Sequence, residues 1–424
     1  MDVVFEPAKI SGFVSAPASK SYTQRVIACA LLADGRTTIR GYTGCDDSER
    51  ALLAAKNMGA LIHKGENYIE VDGGHHNNSG EFTLDFGGSA TSMRIFTSVS
   101  CVTPGIKHIT GSPQLLRRPV RPLVEALTQL GAKIEASPGY SPPLIVHPTG
   151  LRGGEVELDA SISSQFTSSI MVGSTRAHAP TFIRHTGGVV SMGYIRITAH
   201  VLEWFGAHTE ISGEFNQVVV HPSSLKPVDV KIEGDYSSAA FLLAAGAIGG
   251  HVEVGNLNPE SLQPDREVLN VLKGAGCHVE LVGDTARVSG CVKEGFVVDV
   301  TETPDLAPVL GVIAAYAKGE SRIKGVSRLI FKESNRIDAV VDMLKSIGVD
   351  ASFDCGEIRV KGGVIRGGLV DSHGDHRIAL AAAVAAVGAQ RPIMVRGFEC
   401  YSKSYPNFLE DYTSVGGRAH IVQP

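Results

Sequence analysis

One unit recurs six times along this chain, at a spacing of roughly 70 residues, and that repeat constrains the fold more than any other feature. Each copy is an amphipathic helical stretch that runs into a Gly, followed by a strand, a turn and a second strand. The copies are ALLAAKNMGALIHKGENYIEV with Gly59, LVEALTQLGAKIEASPGYSPPLIVHP with Gly131, TAHVLEWFGAHTEISGEFNQVVVHP with Gly206, VLNVLKGAGCHVELVGDTARVSG with Gly276, AVVDMLKSIGVDASFDCGEIRVKGG with Gly348, and FLEDYTSVGGRAHIV with Gly416. A Gly after the last helical turn takes the left-handed conformation that closes a helix. The residues that follow alternate apolar and polar or are β-branched, which predicts strands. Turn residues such as Lys64-Gly65-Glu66 and Asp354-Cys355-Gly356 then reverse the chain.

Six such units in 424 residues exceed what one hydrophobic core spans. The expectation is an α/β (α+β) fold with two similar globular domains of three copies each. Pro222, Ser223, Ser224 and Pro227 read as a linker. The opening strand, VVFEPAKISGFVSAPASKS, precedes any helix and is assigned to the second domain's sheet. The predicted division is therefore 14–226 for one domain and 1–13 with 227–424 for the other, with two crossovers and a cleft between the domains.

The formal net charge of −5 argues against a dedicated nucleic-acid binder, whose footprint is a basic domain. The seven cysteines form no CxxC pair, so reduced thiols are expected. His75 and His76 adjoin and His373 and His376 lie three apart, but no cysteine or paired carboxylate frames either pair, and no metal is expected. The N-terminal MDVVFEPAKISG lacks a basic stretch followed by an apolar one, and no apolar run reaches the roughly 18 residues that span a bilayer. Cytoplasmic localisation without membrane association is the expectation.

The candidate chemistry sits at predicted helix starts. Lys20 and Arg25 lie at the head of an apolar helix beside Ser19 and Ser21, where free amides attract anions; a capped helix with solvated charges is the alternative. Gly87, Gly88 and Ser89 open another helix, with Thr91 and Arg94 in its first turns and without the Lys of a nucleotide loop. Arg117, Arg118 and Arg121 crowd a helix start against its dipole, so either a bound anion or a solvated surface explains them. Ser163, Ser164 and Gln165, with Ser191 and Tyr194, offer neutral donors and acceptors suited to a polyhydroxylated ligand. Asp305 heads a long apolar helix, as an ordinary first-turn Asp or as a base. Lys332, Glu333 and Arg336 share one short segment, as a solvated set or as a cation beside a proton-delivering acid. Asp375, His376 and Arg377 head an Ala-rich helix, and Lys403 precedes Pro406. Converging helix starts with this many cations would make a positive cleft for substrates with phosphates and carboxylates.

Taken together, ASKSYTQR, GGSATSMR, LLRRPV, SSQF, the Ser191–Tyr194 segment, PDLA, KESNR, DHR and SKSYPNF resemble, in order and over essentially the whole chain, the motifs of the 5-enolpyruvylshikimate-3-phosphate synthase family. The resemblance implies two domains of three βαβαββ units each, of the inside-out α/β barrel type. It implies that Ser21, Arg25, Ser163, Ser164, Gln165, Ser191 and Tyr194 hold shikimate-3-phosphate. It gives the phosphoenolpyruvate side to Gly88, Ala90, Thr91, Arg94, Arg118, Gln165, Arg336, His376, Arg377 and Lys403, with Lys20 and Lys332 touching both substrates. Asp305 would take the proton of the 5-hydroxyl and Glu333 would protonate the methylene carbon, without metal or organic cofactor, in a monomer. Gly88 stands where the family usually has Asn, Ala90 where it usually has Gly, Asn335 where Asp is frequent, and Arg328 where Asn is common in one branch. The Ala90 methyl is expected to narrow the phosphoenolpyruvate pocket and disfavour the longer inhibitor glyphosate. The alternatives are a UDP-N-acetylglucosamine enolpyruvyl transferase, for which the RRPVR region offers no reactive Cys, and a non-catalytic anion-binding homologue.

Overall fold

A computed structural model of the chain describes residues 1–74 and 79–422. His75 and His76, weighed above, lie outside the described residues. The chain divides into two compact units, Ala18–Ile232 (the inserted unit) and Met1–Pro17 with Glu233–Pro424 (the flanking unit). Each has an apolar core of its own.

Twelve helices among the described residues alternate between two roles. In the inserted unit they are α1 Lys20–Leu32, α2 Asp46–Asn57, α3 Ala90–Cys101, α4 Arg121–Gln129, α5 Gln165–Ser174 and α6 Met192–Trp204. In the flanking unit they are α7 Tyr236–Gly249, α8 Val268–Gly274, α9 Ala307–Tyr316, α10 Arg336–Ser346, α11 His376–Ala385 and α12 Phe408–Ser414. The odd-numbered helices are buried on nearly all sides; every residue of α11 is buried, and in α1 only Lys20 and Ser21 are not. A helix apolar all round belongs inside a core. Accordingly α3 packs on α1 and α5, while α7, α9 and α11 pack on one another. Small residues permit this closeness. At Gly173 of α5 an added Cβ would lie 2.7 Å from the Cβ of Ser98 on α3. The even-numbered helices bury one face only, and each is followed by one of the six repeat glycines. Gly59, Gly131, Gly206, Gly276, Gly348 and Gly416 all adopt the left-handed φ, between 80° and 108°.

The strands form six four-stranded sheets, one per copy of the repeat. In the second copy, Glu81–Asp85 runs parallel to Ile106–Thr110, and the hairpin Lys133–Ala136 with Leu144–His147 joins antiparallel. Three copies borrow a strand from far along the chain. Asp229–Lys231 pairs parallel with Arg36–Arg40 and so opens the first copy. Ile10–Ser15 pairs parallel with Gly250–Gly255 and opens the fourth. Asp2–Glu6 lies antiparallel between Ile393–Arg396 and Arg418–Val422 and completes the sixth. The N-terminal stretch is thus two strands in two sheets rather than one. Pro7, which offers no amide to a ladder, stands between them.

Candidate functional site

In the inserted unit the inner helices α1, α3 and α5 begin after Ser19, Ser89 and Ser164. None of these serines caps its helix through its side chain, and Ser19 Oγ is buried without a partner among the described residues. The starts of α1 and α3 therefore keep their amide ends available, where an anion is favoured, whereas the Gln165 amide at the head of α5 donates to Ser163 Oγ at 3.3 Å.

Around these starts lie the residues the sequence singled out. Arg25 is 1% exposed and held on all sides. Its Nε donates to Thr198 Oγ1 at 2.7 Å, Nη1 to the Ser21 carbonyl at 2.8 Å, and Nη2 to Ser168 Oγ at 3.2 Å and the Tyr194 carbonyl at 3.4 Å. Burial pulls its pKa down to about 10, so it stays charged at neutral pH. Arg94 donates to Gln165 Oε1 at 2.6 Å, to Ser163 Oγ at 3.3 Å and to the Pro119 carbonyl at 2.8 Å. Gln165 in turn donates to Thr91 Oγ1 at 2.8 Å. Lys20 pairs with Asp47 at 2.9 Å. Ser191 begins α6 with φ of 53°, a left-handed backbone that costs an L-residue roughly 1 kcal/mol or more. Gly88 and Ala90 flank Ser89 at the head of α3, and Ala90 is 4% exposed. The arginine cluster separates. Arg118 is buried, whereas Arg117 is exposed and Arg121 makes an exposed pair with Glu125 at 2.7 Å.

The flanking unit has acids where the inserted unit has serines. Asp235 caps α7 by accepting from Ser238 N at 2.7 Å, Asp375 caps α11 by accepting from Arg377 N at 3.0 Å, and Asp305 stands one residue before the N-cap of α9. A single buried guanidinium, Arg336, joins three carboxylates. It reaches Asp305 at 2.6 Å, Glu333 at 2.7 Å and Asp375 at 2.8 Å. Lys332 lies 3.0 Å and Arg377 3.4 Å from Asp305, and Lys403 lies 3.2 Å from Glu333. His376, 1% exposed, has Nδ1 3.8 Å from Asp375. Lys332, Glu333, Arg336, Arg377, Lys403 and Asp305 therefore form one ion-pair network, so the solvated alternative for Lys332 and Glu333 does not describe them.

The network sets the protonation states. Burial alone would raise the pKa of Asp305, but the charges of Lys332, Arg377 and Arg336 outweigh it and hold the carboxyl well below the usual range. Burial lowers Lys332 to about 8, opposed by the Asp305 charge. Lys332 thus passes from cation to neutral amine in mildly alkaline solution.

Several participants escaped the sequence reading. Asp47 orients Lys20, and Thr198 and Ser168 orient Arg25. Asp265 carries no motif, yet it is 1% exposed and accepts a hydrogen bond from Ser237 Oγ. The Ser237 carbonyl accepts from Arg377 Nη1 at 3.5 Å. Asp265 Oδ1 has no partner among the described residues. Burial first, then the charge of Asp305, raises its pKa to about 7 against the pull of Arg377. Its ordinary value is about 3.9, so between pH 4 and 7 the folded chain keeps a proton that the unfolded chain gives up. Stability contributed at this position falls across that window and levels off above it. Asp265→Asn is therefore expected to gain stability relative to the native chain as pH rises from 4 to 7, by roughly 2–4 kcal/mol. Urea unfolding of both chains at several pH values checks the trend.

The match with known proteins covers nearly all of these residues. The family described as EPSP synthase (3-phosphoshikimate 1-carboxyvinyltransferase) matches residues 4–412. A 3-phosphoshikimate 1-carboxyvinyltransferase of Aeropyrum pernix is 40% identical over 422 residues, covering 99% of this chain and 97% of the relative. One from Korarchaeum cryptofilum is 35% identical over 415 residues, covering 97% of each. Among solved structures, EPSP synthase from Acinetobacter baumannii superposes with a TM-score of 0.83 at 24% identity, covering 100% of both chains, which bears on the fold alone. With relatives this similar over the whole length, and with two units of three repeats each, the chain belongs to the EPSP synthase family.

Proposed function

We propose that this chain transfers the enolpyruvyl group of phosphoenolpyruvate to the 5-hydroxyl of shikimate-3-phosphate and releases phosphate, as a step of aromatic amino-acid biosynthesis. The observation that carries the reading is the family match over residues 4–412, together with a network in which Asp305 and Glu333 share Arg336.

In this reading Ser21, Arg25, Ser163, Ser164, Gln165, Ser191 and Tyr194 hold shikimate-3-phosphate. Gly88, Ala90, Thr91, Arg94, Arg118, Gln165, Arg336, His376, Arg377 and Lys403 receive phosphoenolpyruvate, and Lys20 and Lys332 touch both substrates. Asp305 accepts the proton of the attacking hydroxyl. At rest it is a poor base, because three cations favour its charged form. A substrate bearing phosphate and carboxylate competes for those cations and so strengthens Asp305 as a base at the moment it is needed. Glu333 delivers a proton to the methylene carbon, the hydroxyl oxygen bonds to C2, and a tetrahedral ketal forms. A proton then returns from the methyl carbon as the C–O bond to phosphate breaks. The cations stabilise the charge that gathers on the departing phosphate.

A phosphate-release assay with shikimate-3-phosphate and, separately, UDP-N-acetylglucosamine tests the assignment. Release is expected with the first acceptor alone; release with the second alone would overturn it. We read the protein as a monomer, to be checked by light scattering. Its seven cysteines are free thiols, which suits a reducing compartment such as the cytoplasm. No helix of the described residues is long and apolar enough to cross a membrane.

Ala90→Gly removes a buried methyl at the head of α3. Sensitivity to glyphosate is expected to rise by about tenfold, equivalent to ~1.4 kcal/mol, with a smaller change in KM for phosphoenolpyruvate. Inhibition curves for the two chains measure this, and coincident curves would remove the role given to the methyl.

A further inference from the structure

We propose that His208, Glu210 and His221 form a binding site for one divalent transition-metal ion, zinc being the best fit, on an exposed sheet face of the inserted unit. The site follows from strand register. Thr209–Ile211 and Gln217–Val220 are antiparallel, with Thr209 opposite Val220. The next residues outward, His208 and His221, are therefore opposite each other, and His221 N donates to the His208 carbonyl at 3.1 Å. The two-residue period of a strand puts Glu210 on the same face as His208.

The side chains converge as the register requires. The imidazole centroids are 4.9 Å apart, with 33° between the ring planes. Glu210 Oε1 lies 2.8 Å from His221 Nε2 and 3.5 Å from His208 Nε2. One ligand atom from each residue lies within 4.8 Å of the others. Tetrahedral zinc, with bonds of about 2.0–2.2 Å to nitrogen and oxygen, separates its ligand atoms by about 3.4 Å. The cluster already brackets that spacing, so small side-chain rotations suffice. Three protein ligands leave a fourth position for water. Two imidazoles with a carboxylate suit zinc, nickel or copper and disfavour magnesium and calcium, which prefer all-oxygen shells.

The exposure of the cluster shapes what such an ion would do. Side-chain exposures of 69%, 58% and 37% for His208, Glu210 and His221 place the ion in water. Little desolvation opposes binding, and affinity falls short of a buried four-ligand site. Thr209–Ile211 is the edge strand of its sheet, and an ion held by both strands pins that edge to its neighbour. Binding to the folded form alone stabilises it.

The test is titration of zinc into metal-free full-length protein against a zinc-binding dye, with thermal unfolding followed in parallel. One equivalent is expected to bind, and Tm to rise with zinc. In His208→Asn and in His221→Asn the affinity should drop at least about tenfold, and the zinc-dependent rise in Tm should disappear. All three positions are on the surface, so turnover and metal-free Tm of the variants should match the native chain, which separates loss of the site from loss of the fold. Equal zinc affinity in the native chain and both variants, or no uptake by the native chain, would overturn the proposal.

Discussion

Asp305→Asn should lower kcat by about 10²–10⁴-fold, the range that a positioned general base contributes, with little change in the KM for either substrate. The amide keeps the size of the side chain but can no longer take a proton. It also removes a charge that Lys332 and Arg336 face at 3.0 Å and 2.6 Å. Lys332 is already lowered to about 8 by burial, against the support of Asp305. Without that support it should lose its proton at lower pH, and the alkaline limb of the residual activity should move toward neutrality. Glu333→Gln should cost a similar factor but differ in one readout. If Glu333 protonates the methylene carbon, exchange of solvent deuterium into phosphoenolpyruvate stops in that variant. A pH–rate profile and an exchange experiment on both variants distinguish the two acids. Unchanged turnover in either one would remove it from the mechanism.

Arg336→Met should destabilise the flanking unit by about 3–5 kcal/mol, the usual result of stripping one partner from buried ion pairs. The side chain is 1% exposed and serves Asp305, Glu333 and Asp375 together. Its loss leaves Asp375, which is 0% exposed, with the Ser334 hydroxyl at 3.1 Å and its own capping bond to the Arg377 amide. Arg336→Lys should recover little, because an ammonium cannot present a planar fork to three carboxylates. The sign of the pH dependence follows from Asp305. A carboxyl whose folded pKa is depressed adds stability above its unfolded value, near 3.9, and loses it as pH falls through the folded value. The gap between native chain and variant should therefore be widest near neutrality and close in acid. Urea midpoints at pH 7 and at several pH values stepped below about 3.9 measure it, and a gap that stays constant into that acid range would show that the Arg336 contacts contribute through packing rather than charge.

The repeat was legible because its punctuation is local. A helix, a Gly in the left-handed conformation and an alternating strand each leave a mark within a few residues. The borrowed strands were not legible in the same way. Asp229–Lys231 is only three residues long, and its partner is Arg36–Arg40, so no local pattern betrays the pairing. The candidate site was legible where charge meets a helix start, as at Lys20, Asp305 and Arg377. Positions that act through another side chain left no such mark. Asp47, Thr198 and Ser168 read as ordinary polar residues until the fold brings them to Lys20 and Arg25. Asp265 sits in PDRE, which has the composition of any surface turn, and only burial distinguishes it. His208 and His221 are similar, since strand register alone unites them.

The strand Asp2–Glu6 leaves the ribosome long before its two neighbours, Ile393–Arg396 and Arg418–Val422, which follow it by most of the sequence. At roughly 5–20 residues per second, that is a wait on the order of twenty seconds to more than a minute. During it, the apolar VVF segment has no native ladder to join, and Ile10–Ser15 waits only for Gly250–Gly255, while Ala18–Ile232 already contains every strand of its own three sheets. Translation thus favours completion of the middle of the chain before its beginning. A stall or truncation near the C-terminus would release a nascent protein with one finished unit and an unpaired, aggregation-prone leading strand.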